Sequence, residues 1–326
     1  MKKEDLRIIF MGTPEFAVET LRALLDNGFN VVAVVTQPDK PVGRHGSVLQ
    51  PSAVKQYAEA HGLPVLQPVR MKDEAFVSKL ESFKANLQVV VAFRMLPEVV
   101  WAMPEYGTFN VHAALLPQYR GAAPINWAVM NGETVTGVTT FFLDREIDTG
   151  RVIMREEFEI KPEFNAGDVY DGLMRLGAEV CLKTLDRIIE TGGHPEAIPQ
   201  SELTVPGEEL RQAPKIFKET CRIDWNKPAA AIHNFVRGLS PSPGAWTTMT
   251  ASDGRQAVLK IYSTALTDLN VAEPQGTFVT SGRKMGIVAA GGSVLEVCEL
   301  QLSGKKRMGA ADFLNGLKDP DGCRVE

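Results

Sequence analysis

At 326 residues the chain is long enough for a large core and for two domains. Its 44% hydrophobic and 23% charged content describes an ordinary globular protein and excludes a disordered one. A net charge of −5 argues against a generic electrostatic nucleic-acid binder but leaves a local basic face open, because net charge hides distribution.

The predicted elements begin with a short apolar run, Leu6 to Phe10, a Gly-Thr-Pro turn and a helix from Glu15 to Leu25. Thr13 is placed to cap that helix, with Pro14 at its first position. Val31 to Thr36 and Leu87 to Ala92 read as buried strands, with helices over Pro51 to Ala60 and Asp73 to Phe83 between them. Strands alternating with helices predict an α/β domain with a mostly parallel, Rossmann-like sheet. Gly107 to Val111 extends that sheet. Two β-rich runs, Thr136 to Phe142 and Val152 to Ile160, flank the turn DREIDTG, and a long helix follows from Asp168 to Thr191. Gly192 to Pro214, rich in Gly, Pro and polar residues, reads as an interdomain linker. After it come a short helix near Pro228 to Val236 and strand-like segments at Trp246 to Met249, Ala257 to Leu266, Gly276 to Val279, Lys284 to Ala290 and Ser293 to Leu302. These predict a small barrel or sandwich. The expected division is 1–191, a linker at 192–214, and 215–326.

The N-terminal MKKEDLRIIFMG lacks the apolar core and small-residue cleavage site of a signal peptide, and no apolar run reaches membrane-spanning length. Cys181, Cys221, Cys298 and Cys323 form no CxxC pair, so neither a disulfide framework nor a zinc site is indicated. Four separate thiols fit a reducing cytoplasm. A cytoplasmic protein without membrane contact, and without a bound metal, is expected.

Asn110 and His112 sit one residue apart at the predicted end of a central strand, before a Pro-, Gly- and Arg-bearing loop. On an extended strand such residues point to one side, and open parallel sheets place ligands at strand ends. Taken alone, such a pair most often satisfies buried backbone groups. Asp148 in Ile147-Asp148-Thr149-Gly150 has an equally ordinary reading as a turn aspartate. Together the three make chemical sense, because a carboxylate orients an imidazole and favours its protonated form. Asn110 and a cationic His112 are then two donors for a developing oxyanion, and Asp148 helps remove a proton. No GxGxxG or GxxxxGK[ST] occurs, which argues against a dehydrogenase or a P-loop enzyme; Gly12 reads as a close-approach glycine. The segment Thr36 to Ser52, with Lys40, Arg44 and His45, is either a functional loop or a variable surface insertion. Ser303-Gly-Lys305-Lys306-Arg307 is a basic patch that also reads as a solvated turn.

The combined pattern resembles the methionyl-tRNA formyltransferase family, among the enzymes that use 10-formyltetrahydrofolate. The resemblance rests on GTPEFA, TQPDKPVGR, NVH-x-x-LLPQYRGAAPI, TGVT…IDTG, QAPKI (Gln212 to Ile216), RIDW (Arg222 to Trp225) and VRGLSPSPGAW (Val236 to Trp246). It implies a Rossmann-like formyltransferase domain followed by an OB-like β-barrel. It further implies a catalytic set at Asn110, His112 and Asp148. Folate would lie against Ala92, Phe93, Arg94, Met95 and Leu96, with His112, Leu115, Leu116, Pro117 and Asp148 completing that site. The charged acceptor end of initiator methionyl-tRNA would meet the insertion loop at Lys40 and Arg44, with Lys305, Lys306 and Arg307 on the basic face of the second domain. A monomer is expected. The nearest alternative substrate is a nucleotide-linked amino sugar, whose enzymes lack the TQPDKP-type loop. Three departures from the family pattern stand out. Ala113-Ala114 replaces Gly-Ser, removing a flexible position and a hydroxyl. Ala92-Phe93-Arg94 replaces Ala-Tyr-Gly, adding a cation that either meets the folate carboxylates or faces outward. His45-Gly46-Ser47-Val48 stands where lysines are frequent.

Overall fold

The computed structural model describes residues 1–42, 48–317 and 319–326. Its contacts divide the chain into two units. The first comprises Met1–Gly121, Val135–Glu159 and Tyr170–Gln212, and the second comprises Ala122–Thr134, Ile160–Val169 and Ala213–Glu326.

In chain order the first stretch holds β1 (Arg7–Gly12), α1 (Glu15–Asp26), β2 (Asn30–Val35), β3 (Lys40–Val42), β4 (Val48–Gln50), α2 (Ala53–Ala60), β5 (Val65–Leu66) and α3 (Glu74–Ser82). Then come β6 (Leu87–Val91), α4 (Glu98–Trp101), β7 (Thr108–His112), β8 (Arg120–Gly121), α5 (Pro124–Met130), β9 (Val135–Phe142), β10 (Val152–Glu159) and α6 (Ala166–Glu190). The remainder holds β11 (Gln212–Ala213), α7 (Ala229–Gly238), β12 (Ala245–Thr250), β13 (Gln256–Asn270), β14 (Phe278–Ser281) and β15 (Lys284–Val288). It closes with β16 (Ser293–Leu302), β17 (Met308–Gly309), α8 (Ala310–Asn315) and β18 (Arg324–Val325).

The sheet of the first unit runs β10-β9-β7-β6-β1-β2-β5. From β5 to β7 every pair is parallel, and β9 and β10 add an antiparallel edge. All five residues of β6, Leu-Gln-Val-Val-Val, are buried, as expected of a parallel strand covered on both faces. The order reverses between β1 and β6, which are paired from Ile8↔Leu87 to Gly12↔Val91, so the switch point lies at their ends. Gly12 is required there: a Cβ on it would lie 2.6 Å from Ala17 Cβ and 3.1 Å from the Val91 carbonyl oxygen. Ser52 caps α2 and Asp73 caps α3 through their side chains.

The start of α1 differs from the sequence expectation. Pro14, extended at φ −80° and ψ 174°, is itself the N-cap, and no side chain caps the helix. That puts Thr13 one position too early to reach the free amides, and its buried Oγ1 has no partner. The insertion between β2 and α2 is not wholly irregular either, since β3 and β4 pair antiparallel from Lys40↔Gln50 to Val42↔Val48. Asp39 at its base bonds Lys55 Nζ at 2.7 Å and Gln67 Nε2 at 2.7 Å.

In the second unit an antiparallel sheet runs β14-β15-β16-β13-β12-β18, with β17 on β16. The sheet curls back on itself, because Thr277 beside β14 bridges Arg324 of β18. β12 alternates buried and half-buried residues, the mark of one wet face, and its inner residues join α7 and Trp225 in one core. Trp225 donates its indole N–H to Thr247 Oγ1 at 3.1 Å. Among the described residues no helix is long and apolar enough to cross a membrane.

Candidate active site

Asn110 and His112 are alternate residues of β7 and leave the strand on the same face. In the flanking strands Asn110 stands between Val90 and Phe141, and His112 faces Thr139. The His112 side chain is 7% exposed and that of Asp148 14%, so both sit below the surface without being sealed from it.

His112 Nε2 lies 3.0 Å from the Tyr119 carbonyl oxygen. A carbonyl only accepts, so Nε2 carries the hydrogen and donates it. The other ring nitrogen, Nδ1, faces Asp148 Oδ2 at 4.0 Å. That carboxylate is held in turn by the Gly121 amide, which donates to Oδ2 at 3.0 Å. Asp148 adopts φ +56°, a left-handed backbone that disfavours most side chains. Its loop packs tightly against the sheet: a Cβ on Gly150 would fall 1.7 Å from the Phe142 carbonyl oxygen. The Asn110 carboxamide is half-buried and has no hydrogen-bond partner among the described residues. Two potential donors therefore project side by side, one uncommitted and one with a single free nitrogen beside a carboxylate.

The Ala113-Ala114 departure is underpinned from β9. Thr139 Oγ1 accepts from the Leu116 amide at 3.0 Å and donates to the Ala114 carbonyl at 2.7 Å. Leu116 is fully buried against Phe141 and Val152, and Pro117 is buried beside it. Leu115, by contrast, is half-buried.

The loop after β6 leaves main-chain groups unpaired. Ala92 is left-handed at φ +47°, and the main-chain groups of Phe93 to Leu96 make no hydrogen bond within the described residues. Met95 is 69% exposed. The loop before Asp148 reaches the neighbouring α4, where Arg145 Nη2 pairs with Glu98 Oε1 at 3.2 Å, and Leu143 and Phe93 both pack against the core cluster that contains Leu96. Unpaired backbone donors and acceptors beside apolar side chains suit a planar heterocycle such as a pterin. Arg94 turns neither outward nor toward those groups. Its guanidinium donates to the Val69 carbonyl at 3.0 Å and to the Pro68 carbonyl, and burial holds it below its ordinary basicity.

The RNA-facing candidates fall in separate places. Lys40 is exposed on β3, and Arg44 lies outside the described residues. Lys305 and Lys306 are exposed in a turn closed by the Lys305 amide on the Leu302 carbonyl at 2.9 Å. Arg307 is tied to Glu299 and stacks over the Tyr262 ring at 4.3 Å.

Three partners of the site carried no sequence signal. The Tyr119 carbonyl and Gly121 amide are backbone groups, which any residue supplies. Gln200 lies in the Pro-rich stretch after α6, where composition reads as a connection, yet it is 3% exposed and bonded to the Asp148 loop.

A family profile described as Formyl transferase matches residues 6–185, and its C-terminal domain counterpart matches residues 215–318. The chain belongs to the formyl transferase family. A protein of Parabacteroides distasonis named methionyl-tRNA formyltransferase is 58% identical over 318 residues, covering 98% of both chains. Among solved structures, the sugar 3N-formyl transferase WlaRD with dTDP and 5-N-formyl-THF superposes with a TM-score of 0.63 at 18% identity, covering 92% of this chain and 99% of that one. HypX from Aquifex aeolicus with tetrahydrofolic acid gives 0.61 at 17% identity over 95% of this chain. The present chain spans about half of that protein, 47% of its length. At these identities the two structures speak for the fold.

Proposed function

We infer that this protein transfers the formyl group of 10-formyltetrahydrofolate to the α-amine of initiator methionyl-tRNA, giving N-formylmethionyl-tRNA. The observation that carries the reading is the His112–Asp148 pair beside the free Asn110 carboxamide, in a chain 58% identical along its length to a methionyl-tRNA formyltransferase. In this reading residues 1–191 hold the reaction, residues 215–326 hold the RNA and residues 192–214 join them. The enzyme works in the cytoplasm as a monomer and uses no metal.

When bound, the folate supplies a formyl carbon carried as an amide on an aryl nitrogen. Its planar ring fits the unpaired main-chain groups of Phe93 to Leu96, and Met95 with the 143–149 loop flanks it. Asn110 donates to the negative charge that develops on the formyl oxygen. His112 has committed Nε2 to Tyr119, so its contribution comes from Nδ1. A ring that donates from both nitrogens is a cation, and Asp148 is its counter-charge. Asp148 also takes the proton that the attacking amine must lose and returns it to the folate N10, whose bond to the formyl carbon breaks as tetrahydrofolate leaves. With a reference pKa of about 7.7–8.0, part of that amine is already neutral near pH 7, so modest base assistance suffices. Loss of one oxyanion donor typically lowers turnover about 100- to 1000-fold.

Incubation with 10-formyltetrahydrofolate and, in parallel, charged initiator tRNA, charged elongator methionyl-tRNA or a nucleotide-linked amino sugar tests the reading. Formyl transfer to the initiator RNA supports it. Transfer to the sugar alone, or release of formate without an acceptor, contradicts it.

A further inference from the structure

Gln200 uses every polar atom it has on the two sides of the site. Its Nε2 donates to the Asp148 carbonyl at 2.9 Å and to the Gly150 carbonyl at 2.9 Å. Its Oε1 accepts from Arg120 Nε at 3.0 Å and Nη2 at 2.6 Å. Arg120 is flanked by the two backbone groups already described, the Tyr119 carbonyl on His112 and the Gly121 amide on Asp148. The same stretch after α6 grips this tripeptide again, because the Tyr119 amide donates to the Arg211 carbonyl at 2.7 Å. Ile198, two residues before Gln200, bridges Val152 at the start of β10.

We propose that Gln200, locked by Arg120, is a positioning residue that holds Asp148 in its left-handed backbone and so aims its carboxylate at His112 and the attacking amine. The proposal rests on the formyl-transfer reading above. Physical chemistry gives the reason such a clamp is needed. A non-glycine residue at φ +56° keeps that conformation only where its surroundings over-determine it. The Gly121 bond fixes the carboxylate end, and the Gln200 amide fixes the peptides that precede Thr149 and follow Gly150. One carboxamide spanning two carbonyls presents both hydrogens at set positions, and the Arg120 fork removes its freedom to rotate or flip. The 192–214 segment is thereby part of the site's framework as well as a connection.

Gln200→Glu is the sharpest variant. It keeps the size and gains charge complementarity with Arg120, but a carboxylate cannot donate to either carbonyl. The expected result is a kcat about 10- to 100-fold below wild type at pH 6.5, less than the roughly 100- to 10,000-fold of a whole general acid–base group because the carboxylate itself remains, with KM for folate and RNA within about twofold. Because proton removal is the lost contribution, the deficit narrows toward pH 9, where the α-amine is already neutral. Arg120→Lys, which keeps charge and one donor, gives a smaller deficit of the same pH shape and serves if Gln200→Glu does not fold. A wild-type kcat in a folded variant would overturn the proposal. So would a deficit of equal size at both pH values, or one confined to KM. If wild-type protein forms no formylated RNA under these conditions, the functional reading fails instead, and the two failures are thereby distinguished.

Discussion

Tyr119 and Gly121 are two residues apart, and each holds one half of the His112–Asp148 pair through its backbone. The Tyr119 carbonyl accepts from His112 Nε2 at 3.0 Å, and the Gly121 amide donates to Asp148 Oδ2 at 3.0 Å. One short loop thus sets the imidazole orientation and the carboxylate position together. Both bonds come from the main chain, so the pair is tested by changing its own members.

Removing Asp148 and His112 together should cost about as much turnover as removing the more important one alone, because groups that act as a unit are non-additive. Asp148→Asn, His112→Ala and the double variant, compared by single-turnover formyl transfer, read this directly. Multiplying losses would mean that the two act independently.

Asn110→Ala should lower kcat about 100- to 1000-fold while leaving thermal stability nearly unchanged. The stability expectation follows from the unpartnered carboxamide: no bond within the described residues is lost. Calorimetry and turnover on one preparation separate the two effects, and a large fall in melting temperature would assign Asn110 a structural role.

Gly150→Ala should destabilise by at least about 1–3 kcal/mol, the usual penalty for forcing extra atoms into a packed site. Its Cβ would fall 1.7 Å from the Phe142 carbonyl oxygen, which belongs to β9 and cannot retreat without breaking the bond between the Phe142 amide and the Arg151 carbonyl. Denaturant unfolding measures this, and an unchanged midpoint would contradict the packing.

Lys305→Ala and Lys306→Ala should each weaken RNA use without altering kcat. If each meets one phosphate, the log–log salt dependence of KM for RNA should become shallower by about 0.7–0.9 per lysine. Arg307→Ala should do less, since its guanidinium already serves Glu299 and Tyr262. A salt slope identical to wild type in both lysine variants would remove this turn from the RNA surface.

Much of the frame was legible because hydrophobic period and burial coincide. The Leu87 to Ala92 run became β6 over Leu87–Val91, every residue of it buried, with Ala92 exposed just beyond, and Ser293 to Leu302 became β16. Asn110 and His112 could be paired from spacing alone, since a strand makes residues two apart neighbours on one face. Asp148 gained its reading only in combination with Asn110 and His112, because by itself an Asp-Thr-Gly turn looks the same whether it serves chemistry or a bend. The cap of α1 was misread because Pro14 fits both the first helical position and the one before it, and backbone ψ decides between them. Gln200 was invisible: a glutamine among prolines carries no period, and what matters is which two carbonyls it meets.

The most direct test is single-turnover transfer from 10-formyltetrahydrofolate to charged initiator methionyl-tRNA, followed by mass analysis of the released amino acid. Wild-type protein should yield N-formylmethionine, and His112→Ala should yield it at least about 100-fold more slowly. Formylmethionine produced at the wild-type rate by His112→Ala, or none produced by the wild type, would contradict the assignment.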